Sequence, residues 1–288
     1  MKLLDGKKIA KKITIKLKKQ IKDKNLKLNL SAVLIGNNPI SEVFLRQKEK
    51  ICQKIGVGFR LFKFPEKISI QKLKEEINQI VLDPDNSGII IQLPLPPKFN
   101  TQEILNLIPP EKDIDVLSEK SLGKFYQALP SFSSKNLGGQ GALAILPPVV
   151  SAISKFFQHY KIKIKGKNVV IIGAGRLVGL PTALWLLKEK ATVTVLNEFS
   201  KNFSDFTKKA DILISGVGKP NLIKGNMIKK GVVIIDAGTN IEKGVLKGDI
   251  DFASVSKRAS FLTPVPGGIG PVTTACLLEN LLILNTKK

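Results

Sequence analysis

Near the amino terminus, apolar residues recur every four positions, at Ile9, Ile13, Leu17 and Ile21. That spacing places them on one face and predicts an amphipathic helix. The pattern then alternates. Leu30–Ile35, Gly58–Phe64 and Gly88–Leu93 are short apolar runs of strand length, and Ser41–Ile55, Ser69–Leu82 and Thr101–Ile108 between and after them have helical periodicity. Alternating strand and helix predicts an α/β layer with parallel strands. Residues 127–146 are less regular, and Ser131–Gly141 within them is rich in Gly, Ser and Asn, which reads as a mobile loop. Beyond it a helix is expected at Pro147–Tyr160. A second strand series follows at Val169–Ile172, Thr192–Leu196, Ile212–Ser215, Val232–Ile235 and Phe261–Thr263, with a closing helix at Thr273–Leu284.

Two such series in 288 residues fit two domains, and a hydrophobic fraction of 43% supplies a sizeable core. The most apolar late stretch, Ala275–Leu284, is broken by Glu279 and Asn280, so no membrane span is expected. The basic start lacks the apolar centre of a signal peptide, and its bias to Lys over Arg and Ser argues against a transit peptide. Cys52 and Cys276 are too few and too far apart for a disulfide framework or a zinc site, and His159 is the only histidine. A cytoplasmic enzyme without a metal is the expectation.

The net charge of +23 raises the question of nucleic acid. Only Arg46, Arg60, Arg176 and Arg258 are arginines among the 46 basic residues. Readers of bases and phosphates favour the bidentate guanidinium, and here lysines are spread along the chain without interleaved aromatics. No nucleic-acid partner is expected; a basic binding protein on the same fold is the remote alternative. The positive field suits polyanionic substrates or cofactors.

Val169–Ile172 runs into Gly173-Ala-Gly175-Arg176-Leu-Val178-Gly179-Leu-Pro181, with a helix expected from about Val178 to Lys188. A buried strand, a glycine turn and a helix start form the usual cradle for a pyrophosphate, which rests on free N–H groups at the positive end of the helix dipole. The last glycine lies four residues after Gly175 rather than three, so the turn by itself is also compatible with a plain strand–helix connection.

Further motifs narrow the reading: Gly88-Ile-Ile-Ile-Gln92-Leu-Pro-Leu-Pro96, Pro110-Glu-Lys-Asp-Ile-Asp115, Thr263-Pro-Val-Pro266-Gly267-Gly268-Ile-Gly270-Pro-Val-Thr273, and the opening Leu4-Asp-Gly-Lys7. With the glycine turn, and in this order over nearly the whole chain, they resemble the bifunctional methylenetetrahydrofolate dehydrogenase/cyclohydrolase family. The resemblance implies an α/β catalytic domain at 1–146, a Rossmann-like cofactor domain at 147–270, and residues 271–288 packing back on the first domain. It implies oxidation of 5,10-methylenetetrahydrofolate with NADP, then hydrolysis to 10-formyltetrahydrofolate. It also implies a homodimer through the cofactor domains, and a place in one-carbon metabolism serving purine and amino-acid biosynthesis.

Site residues carry over one at a time. Phe44 and Lys48 are four apart on the second helix and so share a face. Lys48 matches the family's catalytic lysine, which requires a lowered pKa to move protons near neutrality. Gln92 matches the glutamine that bonds this lysine and the folate, and Asp115 the aspartate that reads the pterin. Asp113 is expected to cap a loop. Pro266, Gly267 and Gly268 match the loop over folate and nicotinamide. Gly173, Ala174, Gly175, Arg176, Val178, Gly179 and Pro181, with Glu198, Ser200 and Thr239, are the expected cofactor contacts.

The chain departs from the family pattern in places. Phe44 replaces a tyrosine and lacks its hydroxyl. Val116 stands where the family has glycine, and β-branched residues resist positive φ. Pro147–Val150 replaces a Pro-Cys-Thr-Pro string, behind a loop lengthened by about a dozen residues. A dehydrogenase with weak or lost cyclohydrolase activity is therefore the alternative. Glu198 takes a position that is often cationic or serine. An acid there favours NAD, whereas Arg176, Ser200 and Lys201 favour NADP, which is the expectation.

Overall fold

The computed structural model describes residues 1–128, 145–242 and 244–286. In chain order its elements begin with β1 (Lys2–Leu3), α1 (Gly6–Asp23), β2 (Asn29–Ile35), α2 (Pro39–Ile55), β3 (Gly58–Phe64), α3 (Ile70–Leu82), β4 (Gly88–Ile91), α4 (Thr101–Leu105) and α5 (Glu119–Ala128). They continue with α6 (Pro148–Tyr160), β5 (Asn168–Ile172), α7 (Gly179–Lys188), β6 (Thr192–Leu196), α8 (Phe203–Thr207), β7 (Ile212–Ser215) and β8 (Val233–Asp236). The last are β9 (Asn240–Glu242), β10 (Val245–Lys247), α9 (Phe252–Val255), β11 (Phe261–Leu262) and α10 (Ile269–Asn285).

Two compact units result. One contains residues 11–128, 145–148 and 274–286. Its sheet has three parallel strands in the order β3-β2-β4. The core under it is built from Val33, Ile35, Leu73, Ile77, Ile89 and Ile91 with their neighbours. Ile13, Leu17 and Ile21 of α1 are buried, as their spacing requires. The late part of α10 packs here too. Asn280 donates to the carbonyls of Ile114 and Leu146, and Asn285 to that of Ser87.

The other unit contains residues 1–10 and 149–273. Its six strands are all parallel, in the order β1-β11-β8-β7-β5-β6. Strand order reverses beside β5: the chain runs from β5 to β6 on one side, then returns to β7 on the other. That is the switch point at whose carboxyl edge ligands bind in such sheets. Val170, Ile172, Leu213, Ile234 and Leu262 fill the core beneath.

Residues 1–10, expected with the first domain, belong to the six-stranded unit instead. β1 pairs with β11, and Leu4 N–H bonds the Leu262 carbonyl. The two-residue strand is too short to register as a periodic run. The helix expected at 101–108 ends at Leu105, that at 273–284 begins already at Ile269, and the strand expected to reach Leu93 stops at Ile91. Residues 127–128 of the expected loop close α5, and residues 129–144 lie outside the described residues.

Candidate active site

In the three-stranded unit the chemistry gathers at the end of β4. Asn38 caps α2, accepting from the N–H groups of Ile40 and Ser41. Ser41 Oγ donates to the Leu93 carbonyl at 3.5 Å. Two turns along, Lys48 Nζ donates to Gln92 Oε1 at 2.8 Å, while Gln92 Nε2 donates to the Leu93 carbonyl at 2.8 Å. The amide is thereby fixed with its oxygen toward the lysine. Burial pushes the Lys48 ammonium below its ordinary range, partly opposed by the charge of Asp115. Burial pushes Asp115 up to about 6, opposed by Lys48 and reinforced by Asp113. The thiol of Cys52, one turn beyond Lys48, is pushed up to about 12 by burial and by Glu49, and stays inert at neutral pH. Phe44 sits half-buried one turn before Lys48.

Asp113 is the buried organiser of this loop. It accepts from the N–H groups of Leu117 (3.1 Å) and Ser118 (2.8 Å) and from Ser118 Oγ (2.7 Å), capping the approach to α5. Val116, directly after Asp115, adopts φ 58° and is buried. A left-handed conformation of the kind glycine adopts freely is thus held by a β-branched residue at a steric cost.

In the six-stranded unit the glycine turn follows β5 at the switch point. Gly173 has φ 98°, and a Cβ on Gly179 would lie 1.8 Å from the Gly173 carbonyl oxygen. No side chain fits there. Around Gly175 the space is open, with nothing within 4 Å of a built Cβ. Arg176 keeps Nη1 buried without a hydrogen-bond partner. An orphaned cationic donor in an open glycine turn at a helix start suits a phosphate oxygen, so these residues fit a dinucleotide. Pro181 is buried in the first turn of α7. After β6, Glu198 is exposed. Ser200 Oγ accepts from Asn197 N–H at 2.9 Å and donates to Asn197 Oδ1 at 3.3 Å, so its hydroxyl already serves the turn. Thr239 is exposed, with its carbonyl beside Gly218. Pro266, Gly267 and Gly268 meet the opening motif: Gly6 N–H bonds the Gly267 carbonyl, and a Cβ on Gly6 would overlap the Gly268 carbonyl. Two motifs more than 250 positions apart thus form one turn.

Among the described residues, no group of three or more His, Cys, Asp or Glu could hold a metal ion, and no helix is long and apolar enough to cross a membrane.

A parallel sheet with a phosphate-type turn at its switch point, and a second unit carrying a lysine–amide–carboxylate group, define a nucleotide-dependent enzyme of two α/β units. Comparison with known proteins narrows the class. Residues 4–115 match the family model for the tetrahydrofolate dehydrogenase/cyclohydrolase catalytic domain, and residues 147–288 that for the NAD(P)-binding domain. The bifunctional protein FolD of Nautilia profundicola is 40% identical over 284 residues, covering 97% of this chain and 95% of that one. The crystal structure of the bifunctional FolD enzyme from Campylobacter jejuni shares 37% identity at a TM-score of 0.89, covering 99% and 98% of the two chains. That of Trypanosoma brucei, complexed with NADP cofactor and inhibitor, shares 31% at 0.88, covering 97% and 95%. The chain belongs to the tetrahydrofolate dehydrogenase/cyclohydrolase family.

Proposed function

We propose that this enzyme oxidises 5,10-methylenetetrahydrofolate to the 5,10-methenyl form with NADP, then hydrolyses that product to 10-formyltetrahydrofolate. The observation that carries the reading is the Lys48–Gln92 hydrogen bond, with Asp115 in electrostatic reach. Asp115 accepts the N–H groups of the pterin, since a carboxylate takes two such donors at once. Phe44 stacks on the ring. Lys48, its proton affinity lowered by burial, takes the proton of a water adding to the methenyl carbon. It returns that proton to N5 as the N5–carbon bond breaks, and the hydroxyl proton leaves to solvent. Gln92 holds the amine in place for both transfers.

The nicotinamide of the bound cofactor supplies the hydride acceptor for the first step. Gly173, Ala174, Gly175, Val178, Gly179 and Pro181 shape the cradle, and Arg176 is the cation for its phosphates. A second reading, NAD, is favoured by Glu198, whose carboxylate repels a 2′-phosphate and accepts from a free ribose diol, and by the prior engagement of Ser200. Initial rates at equal NADP and NAD decide this; a clear NAD preference sinks the NADP assignment. The whole reading is tested by following reduced dinucleotide and methenyl absorbance together. Dinucleotide reduction without methenyl decay above the buffer rate leaves the dehydrogenase alone, as the missing hydroxyl at Phe44 would favour.

A homodimer is part of the proposal. Leu180, Leu184 and Leu187 form an exposed stripe on α7, which packs beside the edge strand β6, where Val195 and the following Phe199 are also exposed. The cytoplasm is the proposed compartment, where the buried thiols of Cys52 and Cys276 remain reduced.

A further inference from the structure

Ile172, Ser215 and Asp236 stand in one row across the carboxyl edge of the six-stranded sheet, each paired with the next. The glycine turn leaves from the first of them. Behind the row lies Asp249, a fully buried carboxylate with no assigned part in the chemistry. Its Oδ2 accepts from Ser215 Oγ at 2.6 Å and from Val217 N–H at 2.8 Å, and its Oδ1 from Lys219 N–H at 2.8 Å. Asp249 is itself held from behind. Its own N–H bonds Asp236 Oδ1 at 3.1 Å, and Asp236 also accepts from Gly238 N–H and Ile250 N–H. Among the described residues neither carboxylate has a salt-bridge partner, so backbone amides and one hydroxyl carry the compensation. The segment so gripped, Gly216–Val217, is the floor of the glycine turn: a Cβ on Gly173 would lie 2.7 Å from Val217 Cγ1, and one on Gly216 would lie 2.7 Å from Val178 Cγ1.

We propose that Asp249 is a positioning residue for dinucleotide binding, fixing the Val217 and Lys219 amides so that the 216–219 segment supports the Gly173–Gly179 turn. The proposal rests on the reading of that turn as the dinucleotide cradle. Its effect is selective, because the clamp touches the cofactor side only. Asp249→Asn keeps one acceptor oxygen but puts an NH2 group against N–H donors. It raises the KM for the dinucleotide roughly tenfold or more, while kcat and the KM for methylenetetrahydrofolate stay within about twofold. Ser215→Ala removes one bond of the clamp without introducing a clash and gives a smaller rise in the same parameter alone, which keeps the test open should Asp249→Asn fail to fold. Direct titration of both variants and the unmodified enzyme with NADP and NAD, by quenching of Trp185 fluorescence or by calorimetry, separates the possible failures. If the unmodified enzyme binds neither dinucleotide, the reading of the turn falls. If it binds one and the folded variants bind it equally well, or lose kcat and both KM values together, the positioning role falls.

Discussion

An amine accepts a proton from water near neutral pH only if its surroundings weaken its hold on that proton, and burial does this to Lys48. Lys48→Ala should therefore lower methenyl hydrolysis roughly a hundredfold or more, with folate KM changed only a few-fold, in the methenyl-decay assay. Hydrolysis unaltered in that variant would remove the lysine from the mechanism. Asp115 gives a second handle. Burial pushes its carboxyl up to about 6, so the carboxylate proposed to receive the pterin is present above that pH and is lost below it. Activity should fall as pH drops through 6, and Asp115→Asn should remove that acid limb along with most of the folate affinity; a limb unchanged in the variant would assign it elsewhere. Phe44 is the converse case, a missing group. Phe44→Tyr returns a hydroxyl one helical turn from Lys48 and should raise hydrolysis about fivefold relative to dehydrogenation, the worth of one hydrogen bond.

At the scale of elements, the glycine turn between β5 and α7 makes the sharpest demand. Gly179→Ala would drive a methyl group into the Gly173 carbonyl 1.8 Å away. It should lower thermal stability, by a few kcal/mol, and abolish saturable dinucleotide reduction; normal reduction by the variant would show the turn is not the cradle. This turn was legible in the sequence because glycine spacing is local. Lys48 and Gln92 were legible only through the motifs that resemble the family, since one among many lysines on a periodic helix and one amide just past the end of β4 carry no mark of their own. What was not legible depended on pairing over long distance. β1 is two residues long and exists only because β11 accepts it. Asp249 follows a short hairpin, and nothing in its neighbourhood shows that it will reach the ends of β7. The positive φ of Val116 was not legible for a related reason: a β-branched residue takes that conformation only where its surroundings hold it, and here the Asp113 network spans the loop.

For the molecule as a whole, charge and apolar surface act in opposite directions. In the proposed dimer two chains of +23 each repel, while the Leu180, Leu184, Leu187 stripe and the β6 edge would attract, since burying each leucine contributes roughly 1.5–3 kcal/mol. Raising salt from about 0.01 M to about 0.15 M shortens the screening length from about 30 Å to about 8 Å, which removes most of the repulsion and leaves the apolar term intact. Self-association should therefore tighten with salt. The same field draws in anionic dinucleotide and folate, so their KM values should rise over the same range with kcat unchanged. Opposite salt trends in one protein separate a field of the whole chain from loss of structure, which would move both in the unfavourable direction. Leu184→Lys places a charge in the stripe on both copies and should weaken the dimer roughly a hundredfold or more, giving monomers in sedimentation velocity at micromolar concentration. A dimer that persists in this variant, or one that loosens as salt rises, would move the interface off α7 and β6.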